Sequence, residues 1–129
     1  MSSDDNAIET ACRSLEGVYD DVEEIVDALT EQRPAEDRVT TQAAVFGALA
    51  NEHRVRILEA LRDGELCACE LQVVLEAPQS TVATHLRRLR EAGLIKGRKK
   101  GKWTYYRIAD TAALELLDIG AAVDVPESD

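Results

Sequence analysis

Residues 65–94 read ELCACELQVVLEAPQSTVATHLRRLREAGL, and this stretch decides the fold. We predict a short helix from Leu66 to Leu75 and a turn at Glu76-Ala77-Pro78. Pro78 suits the first positions of a second helix that runs to Ala92. Two helices joined by so brief a turn are typical of a helix-turn-helix.

The second of these helices has one apolar and one polar face. Val82, Leu86 and Leu89 form the face that we expect to be buried. Short polar side chains near the start of a helix suit base edges, and arginines behind them suit phosphates. The residues of this helix that we predict to contact DNA are Gln79, Ser80, Thr81, Thr84, Arg87 and Arg88.

Gly93 predicts the end of the second helix, and Leu94 to Ile108 predicts a β-hairpin rich in strand-forming aromatics. Trp103 and Tyr105 share one strand face, which we expect to pack inward. A basic hairpin tip beside a helix-turn-helix is a wing that lies along the DNA backbone or reaches the minor groove. The wing residues that we predict to contact DNA are Arg98, Lys99, Lys100 and Lys102.

Positive charge is concentrated in one segment of an acidic chain. The 129 residues carry a formal net charge of -10 at pH 7, yet residues 85–107 hold 9 basic side chains and 1 acidic one, including every lysine. One surface is therefore suited to phosphate. The absence of lysine elsewhere and the acidic ends resemble proteins of a salt-accumulating halophile, which suggests a halophilic archaeon. A solvated acidic face in a mesophile is the alternative.

The flanks of the chain predict further helices. Residues 6–31 carry Ile8, Leu15, Val22 and Leu29 at a seven-residue repeat, which predicts one amphipathic helix of coiled-coil character. We interpret residues 32–40 as a linker, Thr40 or Thr41 as the cap of the next helix, and Asn51 as the cap of the one after it. A last helix is predicted from Thr111 to Ile119.

The fold class is therefore mainly α with a small β-hairpin (α+β), a winged helix-turn-helix with flanking N- and C-terminal helices. We assign residues 1–40 to an acidic helical extension and linker used for dimerisation, 41–120 to the DNA-binding domain, and 121–129 to an acidic tail. His85 is predicted to be a structural hydrogen-bonding residue. His53 is predicted to be exposed or capping rather than a metal ligand.

The sequence also indicates where in the cell the protein lies and which classes of protein it does not belong to. No apolar run approaches the roughly 20 residues that span a bilayer, and the acidic start Met1–Asp5 lacks the basic region of a signal peptide. Three cysteines argue against a disulfide framework and for reactive or metal-binding thiols. We expect a cytoplasmic protein that is not an enzyme and that has neither an organic cofactor nor a membrane partner.

Cys67 and Cys69 are candidate metal ligands that stand one residue apart. On a regular helix such side chains point roughly 200° apart. Either Cys67 lies at the capping end of its helix, or ligand binding unwinds the first turn. Two thiolates leave most thiophilic ions short of ligands, and Cys12 is the remaining cysteine. Two inert buried thiols, or a redox pair, are the alternatives.

Residues 45–108 resemble the ArsR/SmtB family of metal-responsive winged-helix repressors. The runs that carry the resemblance are ALANEHRVRIL (48–58), ELCACEL (65–71), HLRRLREAGL (85–94) and GKWTYYR (101–107). The resemblance implies a homodimer that binds double-stranded operator DNA when free and leaves it when a metal or metalloid binds.

Within that family the Cys-x-Cys box is similar to the sensing sites of the arsenic and the cadmium/lead branches. The arsenic branch often has a further cysteine nearby, where this chain has Gln72. Cadmium and lead sensors complete their site from the partner's N-terminal extension, which implies a role for Cys12. Three sulfurs favour As(III) or Sb(III) as the effector, with Cd(II), Pb(II), Zn(II) and Cu(I) as alternatives.

Other members of the family that this chain resembles carry a zinc site on the last helix, and that site needs histidines. We expect no such site here, because Thr111 to Gly120 contains no histidine. A thiol-based redox regulator and a constitutive architectural DNA binder remain alternatives. A thiol-disulfide enzyme is disfavoured, because no thioredoxin-like βαβ pattern surrounds the cysteine pair.

Overall fold

The structure is a computed structural model that describes residues 3–127, with side chains described for residues 6–127. Met1 and Ser2 of the predicted extension, and Ser128 and Asp129 of the predicted acidic tail, lie outside the described residues. The chain divides into two compact units, Met1–Val39 and Thr40–Asp129.

The first unit contains two short helices, α1 (Ser3–Leu15) and α2 (Val22–Glu31). The prediction of one continuous helix over residues 6–31 is therefore wrong. Asp21 caps α2, because its carboxylate accepts a hydrogen bond of 3.1 Å from the Glu24 N–H, and Gly17 disfavours helix in the connection. The seven-residue repeat is divided between two helices.

The next helix, α3 (Glu36–Leu49), begins earlier than the sequence analysis expected. The linker is shorter than predicted, and Thr40 and Thr41 lie inside α3 rather than at its cap. Pro34 just precedes the helix, and Glu36 and Asp37 in its first turn favour an early start because acidic side chains complement the helix dipole there.

The second unit contains the remaining elements. Asn51 caps α4 as predicted, accepting a hydrogen bond of 3.1 Å from the Arg54 N–H, and a short 3-10 turn, Leu61–Asp63, follows α4. The elements are α4 (Glu52–Ala60), β1 (Leu66–Cys67), α5 (Ala68–Leu75), α6 (Gln79–Glu91), β2 (Ile95–Lys100), β3 (Trp103–Ile108) and α7 (Ala112–Ala122).

Helices α4, α5 and α6 pack around one apolar core. The predicted stripe of Val82, Leu86 and Leu89 is confirmed, since these side chains are 0–2 % exposed. Burying one such side chain stabilises a fold by about 1.5–3 kcal/mol. The other buried apolar residues are Ala48, Ile57, Leu58, Leu61, Leu71, Leu75, Leu94, Ile95 and Ala113. The predicted winged helix-turn-helix is confirmed.

The wing is an antiparallel sheet of order β1-β3-β2. Lys100 pairs with Trp103, so Gly101 and Lys102 form a two-residue loop, and the φ of 65° at Gly101 suits a II′ hairpin turn. The prediction that Trp103 packs inward is wrong, because it lies at the hairpin tip and is 52 % exposed. Leu66 and Cys67, predicted as helix, instead form the third strand.

The turn between α5 and α6 holds a non-glycine residue, Glu76, in the left-handed region (φ 51°, ψ 45°). Because a Cβ is disfavoured there, we expect Glu76→Gly to raise the free energy of unfolding by about 0.5–1 kcal/mol in urea denaturation. Glu76→Gln is the matched control, since it removes the charge and keeps the Cβ. Equal stabilisation by both variants would refute the backbone explanation.

Candidate functional site

Cys67 is the N-cap residue of α5, with extended dihedrals of φ -86° and ψ 167°. Of the two arrangements considered for the cysteine pair, the structure has the one with Cys67 at the helix end. Because a capping residue lies outside the helical conformation, the sulfurs of Cys67 and Cys69 are not fixed on opposite helix faces. The two thiols can therefore approach one ligand without a prior break in α5.

Glu70 holds this capping arrangement together. Its Oε1 accepts a hydrogen bond of 2.9 Å from the Cys67 backbone N–H. That bond lowers the pKa of the Glu70 carboxyl below its ordinary value. Sequence analysis missed Glu70, although a glutamate three residues after an N-cap is the capping-box spacing.

Cys67 and Cys69 line one cleft of about 300 Å³. Both are free thiols; Cys67 is half-buried and Cys69 is exposed. Two thiols facing one open cleft are the donor set that thiophilic ions select. The other lining residues come from the start of α5, from α6 and from the wing: Ala68, Gln79, Ala83, Leu86, Lys102, Trp103, Thr104 and Tyr106. The cleft therefore lies between the thiols and both predicted DNA-binding elements.

Cys67 also belongs to the wing sheet. Its Cα partner in β3 is Tyr105, and the partner of Tyr105 in β2 is Arg98. These three residues form one row across the sheet, and the Arg98 guanidinium lies 6.0 Å from the centre of the Tyr105 ring. Backbone pairing thus connects Cys67 directly to the two strands of the wing hairpin.

An ion pair reinforces this connection. Arg98 donates two hydrogen bonds to the Glu65 carboxylate, of 2.7 and 2.8 Å. The hydrogen bond from Arg98 lowers the pKa of Glu65 below its ordinary value, so the pair is intact at neutral pH. No local sequence signal indicated Glu65, because its partner is 33 residues away. In this state Arg98 is bound to a carboxylate rather than free for phosphate.

The third predicted ligand, Cys12, lies in α1 and is half-buried. It lines a groove between α1 and α2 together with Ile8, Leu15 and Val26. Within the described residues, no three histidine, cysteine, aspartate or glutamate side chains are gathered as a metal site. The structure therefore brings Cys67 and Cys69 together, and the participation of Cys12 stays a prediction.

The predicted DNA-contacting residues of α6 lie on its outward side. The Thr84 hydroxyl donates a hydrogen bond of 3.0 Å to the Ser80 carbonyl, which leaves its lone pairs available to accept. Arg87 lies 4.0 Å from the Glu91 carboxylate, an exposed pair that DNA phosphate can displace. Thr81 is half-buried, and the exposed residues are Gln79, Ser80, Thr84, Arg87 and Arg88.

The predicted wing contacts are all exposed on β2 and at the hairpin turn: Arg98, Lys99, Lys100 and Lys102. Lys102 and Gln79 are brought together with the cysteines at the cleft. Residues predicted from separate motifs therefore meet at one place. Among the helices of the described chain, none is long and apolar enough to cross a membrane.

A helix-turn-helix flanked in the chain by the strands of this three-stranded sheet defines the class of winged helix-turn-helix transcriptional regulators, which are not enzymes. Residues 51–96 match the family described as bacterial regulatory protein, arsR family. The chain belongs to this family.

Three relatives illustrate the match. A helix-turn-helix transcriptional regulator of Methanocaldococcus jannaschii is 36% identical over 78 residues, which cover 60% of this chain and 88% of that protein. The arsenic resistance transcriptional regulator ArsR1 of Pseudomonas putida is 46% identical over 71 residues, covering 54% and 56%. A Staphylococcus aureus homologue of the cadmium resistance regulator CadC is 39% identical over 77 residues, covering 59% and 64%. The chain thus spans little more than half of ArsR1.

Solved structures of similar proteins share the fold. HlyU from Vibrio cholerae has a TM-score of 0.61 at 33% identity, covering 66% of this chain and 92% of that one. The antimony-specific transcriptional repressor AntR has a TM-score of 0.61 at 30% identity, covering 67% and 79%. A homodimeric winged helix-turn-helix DNA-binding domain from Mycobacterium bovis has a TM-score of 0.62 at 27% identity, covering 69% and 85%.

The Glu65–Arg98 pair leads to a prediction about the wing. Glu65→Gln releases Arg98 for phosphate, so we expect tighter binding to duplex DNA and a slope of log affinity against log salt that is steeper by about 1. Fluorescence anisotropy at several salt concentrations measures both quantities.

The matched control is Asp63→Asn. Asp63 is exposed in the 3-10 turn after α4, so this variant removes the same charge from a side chain outside the wing. If Asp63→Asn changes the salt slope as much as Glu65→Gln does, the effect is one of net charge and does not come from the release of Arg98.

Proposed function

We propose that the protein is a cytoplasmic transcriptional repressor that leaves its operator when a thiophilic metal or metalloid binds Cys67 and Cys69. The observation that carries this proposal is the cleft that the two thiols share with α6 and the wing. As(III) and Sb(III) are the effectors that we favour, and the arsenic resistance relative and the antimony-specific repressor support that choice. The cadmium resistance relative supports Cd(II) as an alternative.

In the free protein, α6 presents its polar side to base edges in the major groove and the wing lies along the backbone. Base contacts fall to the side chains near the start of α6, such as Gln79 and Ser80. Arg87, Arg88 and the wing lysines bind phosphates. The acidic remainder of the chain repels DNA, so only this surface approaches it.

Release follows from the position of Cys67 in both the cleft and the sheet. When Cys67 and Cys69 lose their protons and converge on one ion, β1 shifts relative to α5. Because Cys67 pairs with Tyr105, that shift moves β3 and the hairpin relative to α6. A wing and a recognition helix that no longer fit one duplex together bind it less tightly. Ion and DNA then oppose each other by one coupling free energy, typically about 1–3 kcal/mol.

The working form is proposed to be a homodimer, as the Mycobacterium bovis domain is described. An apolar groove of about 410 Å³ on α3, α4 and α7 supports this proposal. Phe46 at this groove is 55 % exposed, and Ile119 on α7 is 65 % exposed. Exposed apolar patches of this kind mark interaction sites. Dimerisation through residues 1–40, predicted from the sequence, is a second proposed contact.

Two substitutions test the dimer contacts separately, each through the concentration at which the dimer dissociates in size-exclusion chromatography with light scattering. Phe46→Asp places a charge at the groove, and Leu29→Asp places one in the first unit, where Leu29 is 52 % exposed. Each is expected to weaken dimerisation, because an unpaired buried charge disfavours association. Val73→Asp, at a residue 77 % exposed on α5, is the control and should dimerise as tightly as the wild type. A Phe46→Asp variant that dimerises as tightly as the wild type contradicts the groove as interface.

The acidic composition is proposed to be an adaptation to high salt. At molar salt, counterion release contributes little to DNA binding, so base contacts and shape must supply more of the affinity. We expect the α-helical circular dichroism signal to increase as KCl is raised toward molar concentrations, because salt screens repulsion among the acidic side chains. A fully folded protein in dilute buffer would argue for a mesophilic source.

The effector is identified by titrating reduced protein on labelled operator DNA with As(III), Sb(III), Cd(II), Pb(II), Zn(II), Cu(I) and an oxidant. We expect As(III) or Sb(III) to weaken DNA binding by about 5- to 150-fold. Cys67→Ser and Cys69→Ser should each abolish that response while leaving DNA binding by the free protein intact. Fluorescence anisotropy reports both quantities.

Cys12→Ser is the informative comparison in the same experiment. A response lost in Cys12→Ser assigns it as the third ligand, and a retained response limits the site to two protein sulfurs. Release by oxidant alone would instead favour the redox regulator, for which the exposure of Cys69 is the supporting observation. If no titrant acts, the cysteines are inert and the effector proposal fails.

A further inference from the structure

A single guanidinium joins the end of α3 to the recognition helix α6. Arg54, near the start of α4, donates from Nε to the Ala48 carbonyl at 2.6 Å and from Nη2 to the Gly47 carbonyl at 3.2 Å. Its Nη1 lies 3.1 Å from Nδ1 of His85 on α6. The last carbonyls of a helix have no partner within it. Arg54 supplies a partner to the Ala48 carbonyl and a second one to the Gly47 carbonyl, which also accepts from the Ala50 N–H at 3.3 Å, and it contacts His85 with the same group.

The chemistry of this contact fixes the protonation state of His85. A guanidinium has only N–H donors, so the hydrogen bond requires Nδ1 of His85 to accept. That nitrogen must carry a lone pair, and the neutral ring therefore has its proton on Nε2. Protonation at Nδ1 removes the acceptor and leaves two cations 3.1 Å apart.

The groups around His85 oppose its protonation. The ring of His53 on α4 lies 5.3 Å from the ring of His85, and Nδ1 of His53 is buried without a hydrogen-bond partner. His53 was predicted to be exposed or capping, and it is half-buried. Burial first, then Arg54 and His53, lower the pKa of His85 below its ordinary value of 6.5.

The other charged groups here come from α6. Arg88 adds to the positive field at Arg54, and Arg88 and Glu91 line the adjoining groove beside Gly47. Glu91 is the one carboxylate in that groove, and the residues of α3 that line it, alanines and Gly47, carry no charge. The site is thus net positive around a histidine that must be neutral to accept.

We propose that Arg54 is a positioning residue that holds α6 through neutral His85, so that DNA binding is lost as this histidine takes up a proton. The α6 side that faces away from the core carries the proposed base contacts, and a helix released from Arg54 presents them less accurately. This property goes beyond effector sensing, because neither Cys67 nor Cys69 takes part.

The sign of the pH effect distinguishes this proposal from ordinary electrostatics. An added positive charge on a DNA-binding helix normally strengthens phosphate attraction, so DNA affinity would rise as pH falls. Loss of the Arg54–His85 hydrogen bond predicts the opposite. The bond is fully formed above pH 6.5 and is lost as pH falls through the lowered pKa of His85. The chain has only two histidines, so few other groups titrate between pH 7.5 and 5.5.

The test compares DNA affinity at pH 7.5 and pH 5.5 in reduced, ion-free protein, on a duplex selected from a random library at pH 7.5. Wild-type affinity should fall as pH is lowered below 6.5, by up to about tenfold once His85 is protonated, the size expected for one charge-assisted hydrogen bond. His85→Asn should show no pH dependence, because its amide Oδ1 accepts from Arg54 at either pH. His53→Gln should still show the loss.

Circular dichroism at both pH values separates repositioning of α6 from unfolding. The proposal requires helical content to be retained at pH 5.5 in the wild type while affinity falls. A DNA affinity of the wild type that rises at pH 5.5 would overturn it, and so would an equal fall in affinity in His85→Asn. The proposal also fails if the pH dependence disappears in His53→Gln, or if helical content is lost in parallel with affinity. None of these outcomes bears on the response to As(III).

Discussion

The pairing of Leu66 and Cys67 with β3 is the constraint on which the rest of the site depends. Two residues of extended backbone give the hairpin a third strand and end where α5 begins. Because the same residue ends a strand and caps a helix, a movement of its backbone acts on both elements. A strand this short contributes little to stability, so its displacement costs little. That combination suits a residue that transmits a signal rather than one that stabilises the domain.

Much of the fold could be predicted because its determinants are local. The Asn51 cap, the turn before Pro78, the apolar stripe on α6 and the hairpin around Gly101 each rest on a few adjacent residues, and the structure has all four. The cysteine pair and the basic wing were likewise visible as motifs. Their meeting in one cleft was not, since that depends on how α6 and β3 pack beside α5.

The errors arose where local preference and longer-range pattern disagreed. The repeat of Ile8, Leu15 and Val22 predicted one long helix, but Gly17 and the capping Asp21 interrupt it at short range. The strand at Cys67 was missed for the opposite reason, because its hydrogen bonds come from Tyr105 and Tyr106 far along the chain. The Arg54–His85 contact is likewise non-local, because its two residues lie 31 positions apart in the sequence.

Trp103, at the tip of the hairpin, gives the protein a fluorescent side chain beside the cysteines. It is the only tryptophan in the chain, it is 52 % exposed, and it lines the cleft that holds both thiols. Indole emission is sensitive to water and to nearby heavy atoms. The protein therefore carries an intrinsic optical probe at its own candidate effector site, and cleft occupancy can be followed without a dye, a label or any DNA.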